Sequence, residues 1–255
     1  MIVTGATHPI ALKLAPTAPY DRQQEIERAA MVVAGHTMVS FTGLAANYRL
    51  AVHCELNGID ASFVECGVWR GGSSGMMAIA HRTHGRAPRD FHLFDAFRDP
   101  PEPDPLVDGE RAVREAREWG GAEEVTGRLA PLAGLYERAG LGGPGEVATV
   151  ESLMFDIIGV SPERVHIHVG WLQDTVPVTD TGPIAILRLD VDHYHATRTA
   201  LEHLYERVVA RGFVIVDDYG SYEGCRRAVD SFLAEVGAAP FMHHVDAERR
   251  YFRKD

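Results

Sequence analysis

The fold is decided by two stretches near the middle of the chain: "PIAILRLDVDHYHATRTAL" (residues 183–201) and "GFVIVDDYGSYEG" (residues 212–224). Each contains a short apolar run, which predicts a buried strand, and each run stops on a pair of carboxylates. The pairs are Asp190 with Asp192, and Asp217 with Asp218. Because ligands bind at the carboxyl ends of the strands in an open α/β sheet, we expect these four carboxylates at one binding site.

The rest of the chain alternates between strand and helix patterns in the same way. Further strands are expected at "ASFVECG", "DFHLFDAF" and "RVHIHVG", and helices at "ATRTALEHLYERVVARG" (residues 196–212) and "YEGCRRAVDSFLAEVG". The end of the chain, "PFMHHVDAERRYFRK", predicts an antiparallel hairpin. This order of elements predicts an α/β fold, in which helices cover both faces of a mostly parallel sheet.

We interpret residues 1–255 as a single domain with two additions. Residues 1–58 are expected to form an N-terminal arm followed by helices. Residues 104–146 are rich in proline, glycine and charge, and they interrupt the alternation of strands and helices. We interpret them as an insertion and a candidate lid over the site. The charged helix expected at residues 111–119 is interpreted as a solvated face.

Composition limits the partners of the chain. Its 25 basic and 36 acidic residues give a net charge of −11, which argues against binding to nucleic-acid phosphates. The chain has no 18-residue apolar stretch and no signal-peptide pattern, so we expect no membrane partner. Its three cysteines show no metal-binding or redox spacing, which favours free thiols in the cytoplasm.

Acidic residues also end the other two strands expected before the insertion, Glu65 in the first and Asp95 in the second. Like charges repel one another and burial disfavours their ionisation, so a cluster of carboxylates requires a cation. A hard divalent cation such as Mg²⁺, which prefers oxygen ligands, is the simplest candidate. The alternative for each single carboxylate is that it caps the following helix or faces solvent.

A glycine-rich segment, "ECGVWRGGSS" (residues 65–74), follows the first strand and opens a helix with Ser73 or Ser74 near its N-cap. Glycines allow a ligand to approach the backbone there, although a structural tight turn explains them equally well. The segment departs from G-x-G-x-x-G, which disfavours a dinucleotide site. Asp95 stands where α/β cofactor proteins place an acid on a ribose diol.

Several separated motifs together resemble the macrocin O-methyltransferase (TylF-like) family in order and spacing, over roughly residues 35–100 and 147–235. They are "HTMVS", "FVECGVWRGGSS", "LFDAF" followed by "PEP", "GWLQDTVP", "LRLDVDHYHATRTALEHLY" and "DDYGSYEGCRRAVDSF". The resemblance implies a class I S-adenosylmethionine (SAM) methyltransferase fold, which is Rossmann-like and seven-stranded. It also implies Mg²⁺-dependent methylation of a sugar hydroxyl on an antibiotic, and a homo-oligomer.

The resemblance assigns roles residue by residue. Asp190, Asp217 and Asp218 match the metal ligands and Asp192 the general base, while His193 is a candidate assistant or a solvated ring at a helix entry. The cofactor-binding positions are Thr37, Met38, Val39, Glu65, Gly67, Val68, Arg70, Ser73, Asp95, Trp171, Asp174 and Asp190. The chain departs from the family at Val191, where a glycine is usual, and at residues 104–146, which do not align.

We therefore expect a SAM- and metal-dependent O-methyltransferase that acts on a deoxysugar hydroxyl of a glycosylated natural product in antibiotic biosynthesis. Three alternatives are weighed against it. A haloacid-dehalogenase-like phosphatase also places Asp-x-Asp after a strand. A nicotinamide dehydrogenase would show G-x-G-x-x-G, and a non-catalytic SAM-binding protein would not need all four carboxylates at 190–218.

Overall fold

The computed structural model describes residues 22–255, so the arm expected before residue 22 lies outside the described residues. The strands are β1 (Ser62–Cys66), β2 (Phe91–Asp95), β3 (Val165–Val169), β4 (Ile184–Leu189), β5 (Val208–Val216), β6 (His243–His244) and β7 (Arg250–Arg253). The helices are α1 (Gln23–Val33), α2 (Phe41–Leu56), α3 (Gly72–His84), α4 (Gly109–Glu118), α5 (Leu135–Arg138), α6 (Val147–Glu151, extended by a π-helical segment, Ser152–Ile157), α7 (Leu172–Thr175), α8 (Tyr194–Leu204) and α9 (Glu223–Glu235).

The seven strands form one sheet in the order β3-β2-β1-β4-β5-β7-β6. Strands β1 to β5 are parallel, whereas β7 runs antiparallel to both β5 and β6. The order reverses between β1 and β4, and the carboxyl ends beside such a reversal form the ligand-binding crevice of open α/β sheets. The expected seven-stranded class I fold with an antiparallel C-terminal hairpin is confirmed.

Apolar side chains cover both faces of the sheet, which explains why β1, β2 and β4 read as almost continuous apolar runs. On one face Phe63, Phe91 and Ile186 pack with residues of α1, α2 and α3. On the other face Val64 and Leu187 pack with residues of α7, α8 and α9. The expected N-terminal helices are α1 and α2, and both contribute to the first of these layers.

Residues 104–146 contain α4, α5 and a small apolar cluster of their own, made by Ala116, Val125, Leu132 and Leu135. The start of the segment is tied to the N-terminus of α8, because the buried Asp108 accepts a hydrogen bond from the backbone N–H of Tyr194 (2.6 Å). Its middle is tied to the segment after β2 by Asp99, which accepts from the N–H of Gly134 (2.8 Å). Closure of this segment as a lid stays a prediction.

One local expectation is wrong. The helix expected at residues 196–212 ends at Leu204, and after one 3-10 turn the chain enters β5 at Val208. The β-branched Val208 and Val209 favour the pleated strand, and the left-handed Arg211 (φ 70°) accompanies a register shift between β4 and β5. The N-cap of α3 is Gly71, and Ser73 and Ser74 lie in the first turn of the helix, near the cap as expected.

Within residues 22–255 no single helix has the length and apolarity needed to cross a membrane. Helices α1 and α2 meet that test only as a pair, with a bend of 120° at the break between them. The expectation of free thiols is confirmed, since Cys54, Cys66 and Cys225 are all unpaired and buried.

Gly67, directly after β1, is required by a close approach of two chain segments. Its φ of +84° is left-handed, and a Cβ at this position would overlap the carbonyl oxygen of Asp190. We expect Gly67→Ala to lower the free energy of unfolding by about 1 kcal/mol for the backbone conformation and by a further 1–3 kcal/mol, roughly, for the overlap. Urea denaturation measures this loss.

The matched control is Gly58→Ala, because Gly58 has a similar φ of +62° but open space around the position of a Cβ. It should show only the conformational part of the loss. Equal losses in the two variants would contradict the overlap at Gly67.

Candidate active site

A cavity of about 290 Å³ opens at the carboxyl ends of β1, β4 and β5, between the sheet and residues 104–146. Its lining includes the four carboxylates that follow β4 and β5: Asp190, Asp192, Asp217 and Asp218. One oxygen from each of Asp190, Asp217 and Asp218 lies within 4.8 Å of the other two. The structure therefore brings together the acidic groups that sequence analysis placed on two different strands.

A buried guanidinium holds three carboxylates of this region. The fully buried Arg188 donates from Nη1 to Glu65 Oε1 (2.7 Å) and to Asp190 Oδ2 (2.8 Å), and from Nη2 to Asp217. Sequence analysis missed this residue, although an arginine inside the apolar run "IAILRL" is the kind of signal that would have found it, because buried arginines are nearly always paired. Part of the positive charge that the acidic cluster requires is thus built into β4.

A second guanidinium reaches the cluster from the segment between β6 and β7. Arg249 donates from Nε to Asp217 Oδ1 (3.1 Å), and its Nη2 lies 3.1 Å from Asp217 Oδ2. Arg249 also donates to Asp246 Oδ2 (2.9 Å). None of the ion pairs found among residues 22–255 involves Asp192 or Asp218, so no paired cation offsets the charge of these two carboxylates when they ionise.

Burial and mutual repulsion raise the pKa values of Asp190, Asp192 and Asp218. Burial, followed by the charge of Asp190, raises the pKa of Asp192 to about 7. Burial, followed by the charge of Asp217, raises the pKa of Asp190 to about 6. The pKa of Asp218 lies well above its ordinary value for the same reasons. A bound cation would reverse these shifts, because it stabilises the ionised carboxylates.

The donor set fits a hard divalent cation. Three carboxylate oxygens converge, and Mg²⁺ is bound in proteins by oxygen ligands of this kind. Asp218 has no basic partner within the described residues. Oδ1 of Asp217 accepts from both Arg188 and Arg249, but its Oδ2 contacts only Arg249 and keeps a lone pair. Asp190, Asp217 and Asp218 are therefore able to hold such an ion together.

Asp192 stands apart from the other three carboxylates in its backbone. Its φ of 57° is left-handed, and its N–H donates to Asp218 Oδ2 (3.2 Å). Conformations of this kind are costly for residues other than glycine, and in folded proteins they concentrate at functional sites. Val191 does not adopt a positive φ, so the departure from the family's Asp-Gly-Asp pattern leaves the backbone unstrained at that residue.

Asp95 organises the glycine-rich loop. Its Oδ2 accepts hydrogen bonds from the N–H groups of Val68 (2.7 Å) and Trp69 (2.8 Å), and its Oδ1 accepts from the N–H of Phe97 (2.6 Å). Trp69 and Phe97 both adopt left-handed backbone conformations. A carboxylate offers about four lone-pair positions, so Asp95 retains one for a ligand. This geometry fits the expected ribose contact.

A second, smaller cavity of about 90 Å³ adjoins the first and is edged by Asp95, Ala96, Trp171 and Gln173. An aromatic ring beside a carboxylate that keeps a free lone pair suits a nucleoside, so these residues fit the adenosine part of SAM. Met38, Val39 and Gly67 line the larger cavity. Asp174, expected in the same motif as Trp171, is exposed and lines neither cavity.

The other expected cofactor residues line neither cavity. Glu65, Val68 and Ser73 are buried, and the carboxylate of Glu65 accepts from Arg188 and from Ser74. Thr37 Oγ1 accepts from the N–H of Val39 (3.0 Å). Glu65, Val68 and Ser73 therefore support the glycine-rich loop from the protein interior.

The loop is also joined to the end of the insertion. Arg70 stacks on Trp69 (4.2 Å to the ring centroid) and donates to the carbonyl of Gly142 (2.8 Å). The indole N–H of Trp69 donates to the carbonyl of Gly143 (3.1 Å). The insertion therefore rests directly on the cofactor loop.

Helix α4 is solvated on one face only, where Arg114, Arg117 and Glu118 are exposed, which corrects the interpretation of residues 111–119 as a solvated face. Tyr222 donates to Glu115 Oε2 (2.5 Å), Arg111 donates to Glu115 Oε1 (2.8 Å), and the Arg111 guanidinium lies over the Tyr222 ring. All three residues line the larger cavity together with His193. Burial lowers the pKa of His193, so its ring is held neutral.

We expect Arg188→Met to lower the free energy of unfolding by about 3–5 kcal/mol, because it leaves buried carboxylates without their cation. Burial raises the pKa of Glu65 to about 7, so this carboxyl is largely neutral at pH 5 and loses less when the guanidinium is removed. The deficit should therefore be smaller at pH 5 than at pH 8. Urea denaturation in EDTA at both pH values measures it.

Arg198→Met is the control, since Arg198 pairs with the exposed Glu202 and Glu235 on the surface and such pairs contribute little. An equal cost for the two variants, or a deficit at Arg188 that does not change with pH, would contradict the expectation.

Comparison with known proteins identifies the family. The family model for macrocin-O-methyltransferase (TylF) matches residues 6–124 and 147–254. A Streptomyces olivaceus enzyme named 8-demethyl-8-(2,3-dimethoxy-α-L-rhamnosyl)-tetracenomycin-C 4'-O-methyltransferase is 34% identical over 220 residues, which are 86% of this chain and 75% of that protein. Demethyldecarbamoylnovobiocin O-methyltransferase from Streptomyces niveus is 29% identical over 220 residues, 86% of this chain and 76% of that one.

Solved structures agree with this assignment. The O-methyltransferase NovP superposes with a TM-score of 0.70 at 27% identity, covering 86% of this chain and 82% of its own. The calicheamicin methyltransferase CalS11 superposes with a TM-score of 0.57 over 93% of each chain, but at 17% identity it shows the fold alone. The chain therefore belongs to the macrocin-O-methyltransferase (TylF) family, and the expectation of a SAM-dependent O-methyltransferase is confirmed.

Proposed function

We propose that this chain transfers a methyl group from SAM to a hydroxyl of a deoxysugar in a glycosylated natural product, with the help of a divalent cation. The observation that carries the metal-dependent part is the convergence of carboxylate oxygens from Asp190, Asp217 and Asp218 within 4.8 Å, in the same cavity as Asp192 and Gly67. The acceptor class is supported by the named relatives, which include a mycinamicin III 3''-O-methyltransferase from Micromonospora griseorubida.

The reaction is a direct displacement at the methyl carbon. The bond from carbon to the acceptor oxygen forms as the bond to sulfur breaks, and the sulfur keeps the electron pair. The hydroxyl proton must leave, and Asp192 is placed to accept it because its side chain lines both cavities and has no basic partner within residues 22–255. A positioned general base contributes roughly 10²–10⁴-fold to the rate.

Asp190, Asp217 and Asp218 would hold the cation. When bound there, the cation supplies electrostatic stabilisation of the charge that develops on an acceptor oxygen. Arg188 holds Asp190 and Asp217 by hydrogen bonds, and Arg249 holds Asp217 by a further one. The side chains are thus oriented before any ligand arrives, which lowers the cost of binding.

The cofactor would lie across the two cavities. Asp95 would contact the ribose, Trp171 would edge the adenine, and Gly67 would let the backbone approach the methionyl part. The neutral ring of His193 supports an assisting role beside Asp192. The homo-oligomeric state and the cytoplasmic location implied by the sequence stay predictions.

Removal of the metal tests whether methyl transfer requires a divalent cation. The assay measures methyl transfer from labelled SAM to three glycosides: the rhamnosyl tetracenomycin, demethyldecarbamoylnovobiocin and mycinamicin III. We expect transfer to at least one of them, its loss after dialysis against EDTA, and its recovery with Mg²⁺, because the unbalanced carboxylates need a cation. Product NMR locates the methyl group.

Unchanged activity after EDTA dialysis would refute the metal requirement.

Asp192→Asn tests the role of Asp192 as the general base. The variant should keep the affinities for SAM and Mg²⁺, measured by calorimetry, and should lose about 10²–10⁴-fold in kcat, because an amide cannot accept the proton. The control is Asp180→Asn, which changes an exposed carboxylate that pairs with Arg207 away from both cavities. Turnover close to that of the unaltered protein would remove Asp192 from the role of base.

A further inference from the structure

The two cavities share part of their walls, and the shared residues lie where a cofactor that extends across both cavities would meet an acceptor in the larger one. They are Gly67, Asp95, Pro100, Tyr136, Asp190 and Asp192. Three of them are carboxylates, which accept hydrogen bonds when ionised. Tyr136 alone among the six has a neutral side chain with an O–H donor, and it is supplied by the insertion.

Hydrogen bonds hold the backbone of Tyr136 to the segment that follows β2. Its N–H donates to Asp99 Oδ1 (2.9 Å), and the N–H of Gly134 donates to Asp99 Oδ2 (2.8 Å). The carbonyl of Tyr136 accepts from the N–H of Leu141 (2.8 Å). Leu135 packs into the apolar cluster of the insertion. The ring is therefore held at the boundary between the cavities by contacts on both sides of it.

The phenol is left free to act as a donor to a ligand. Among the hydrogen bonds found within residues 22–255, none uses the hydroxyl of Tyr136. Burial, and then the charges of Asp192, Asp95 and Asp190, raise the pKa of Tyr136 well above its ordinary value, so the hydroxyl keeps its proton. A protonated phenol beside three carboxylates complements a ligand oxygen that offers a lone pair.

The insertion side of the larger cavity suits an acceptor better than the cofactor. It presents Trp119, Leu132, Leu135 and Leu141, which are apolar, together with Arg111 and Glu115. The expected donor contacts, by contrast, come from Met38 and Val39, from the ends of β1, β2 and β4, and from Trp171. The family model leaves residues 125–146 unmatched, so Tyr136 belongs to a part of the wall that varies from the family pattern.

We propose that Tyr136 is a positioning residue for the acceptor: its hydroxyl donates a hydrogen bond to an acceptor oxygen next to the reacting hydroxyl, and so holds that hydroxyl against Asp192. This inference rests on the proposed function of the site. It assigns to the insertion a direct part in aligning the reaction, because small errors in the position of a nucleophile lower the rate strongly.

Tyr136→Phe tests the proposal, since it removes only the hydroxyl and keeps the ring in place. With the most active of the three glycosides, we expect kcat/KM for the acceptor to fall by about three- to tenfold, the usual loss for one hydrogen bond between neutral groups. The Kd for SAM, measured by calorimetry without acceptor, and the Tm should not change. The control is Tyr251→Phe, because Tyr251 is half-buried, stacks on His243 and lines neither of these cavities.

Acceptor kinetics equal to those of the Tyr251→Phe control would overturn the proposal. So would weaker binding of SAM with an unchanged KM for the acceptor, because the hydroxyl would then serve the donor. Failure of the proposed function looks different, since the unaltered protein itself would then methylate none of the glycosides.

Discussion

The site depends on one buried charge, the guanidinium of Arg188 in the fourth strand of the sheet. It is in contact with Glu65 at the end of β1, Asp190 at the end of β4 and Asp217 at the end of β5. Neighbouring strands are linked at their carboxyl ends by charge as well as by backbone hydrogen bonds. A lone ion in this position would be prohibitively expensive, and only several charge-assisted bonds at once make it tolerable.

This arrangement divides the acidic groups by task. Glu65 and Asp217 are largely committed to guanidinium groups, Asp190 is shared, and Asp192 and Asp218 remain open towards the cavity. The pattern explains how several carboxylates coexist at one edge of a sheet. Two fixed positive charges offset part of the repulsion permanently, and the remainder is the electrostatic driving force for binding a divalent ion.

Sequence analysis identified the main strands, the mostly parallel sheet and the acidic strand ends, because apolar runs with abrupt polar stops depend on local pattern alone. It could not identify which charged groups meet. Arg249 is far from Asp217 along the chain, and only the antiparallel return of β7 brings them together. The helix predicted at residues 196–212 ends at Leu204, because pairing with β4 favours an extended chain from Val208 onwards. The exposed position of Asp174 likewise depends on how the short α7 packs, which spacing does not encode.

The insertion has its own small apolar cluster, and it is attached to the rest of the molecule at a few points. Asp99 after β2 accepts from the backbone of the insertion, and Asp108 in the insertion accepts from the start of α8. The carbonyls of Gly142 and Gly143, at the end of the insertion, accept from Arg70 and Trp69 of the cofactor loop. Between residues 119 and 132, Val125 and Leu132 belong to this apolar cluster, and Thr126 and Arg128 donate to Glu102. Glu123, Glu124 and Leu129 are exposed and have none of these duties. A scaffold built in this way separates the chemistry from part of its outer surface, so that exposed positions of the stretch could change while the carboxylates beneath it stay in place.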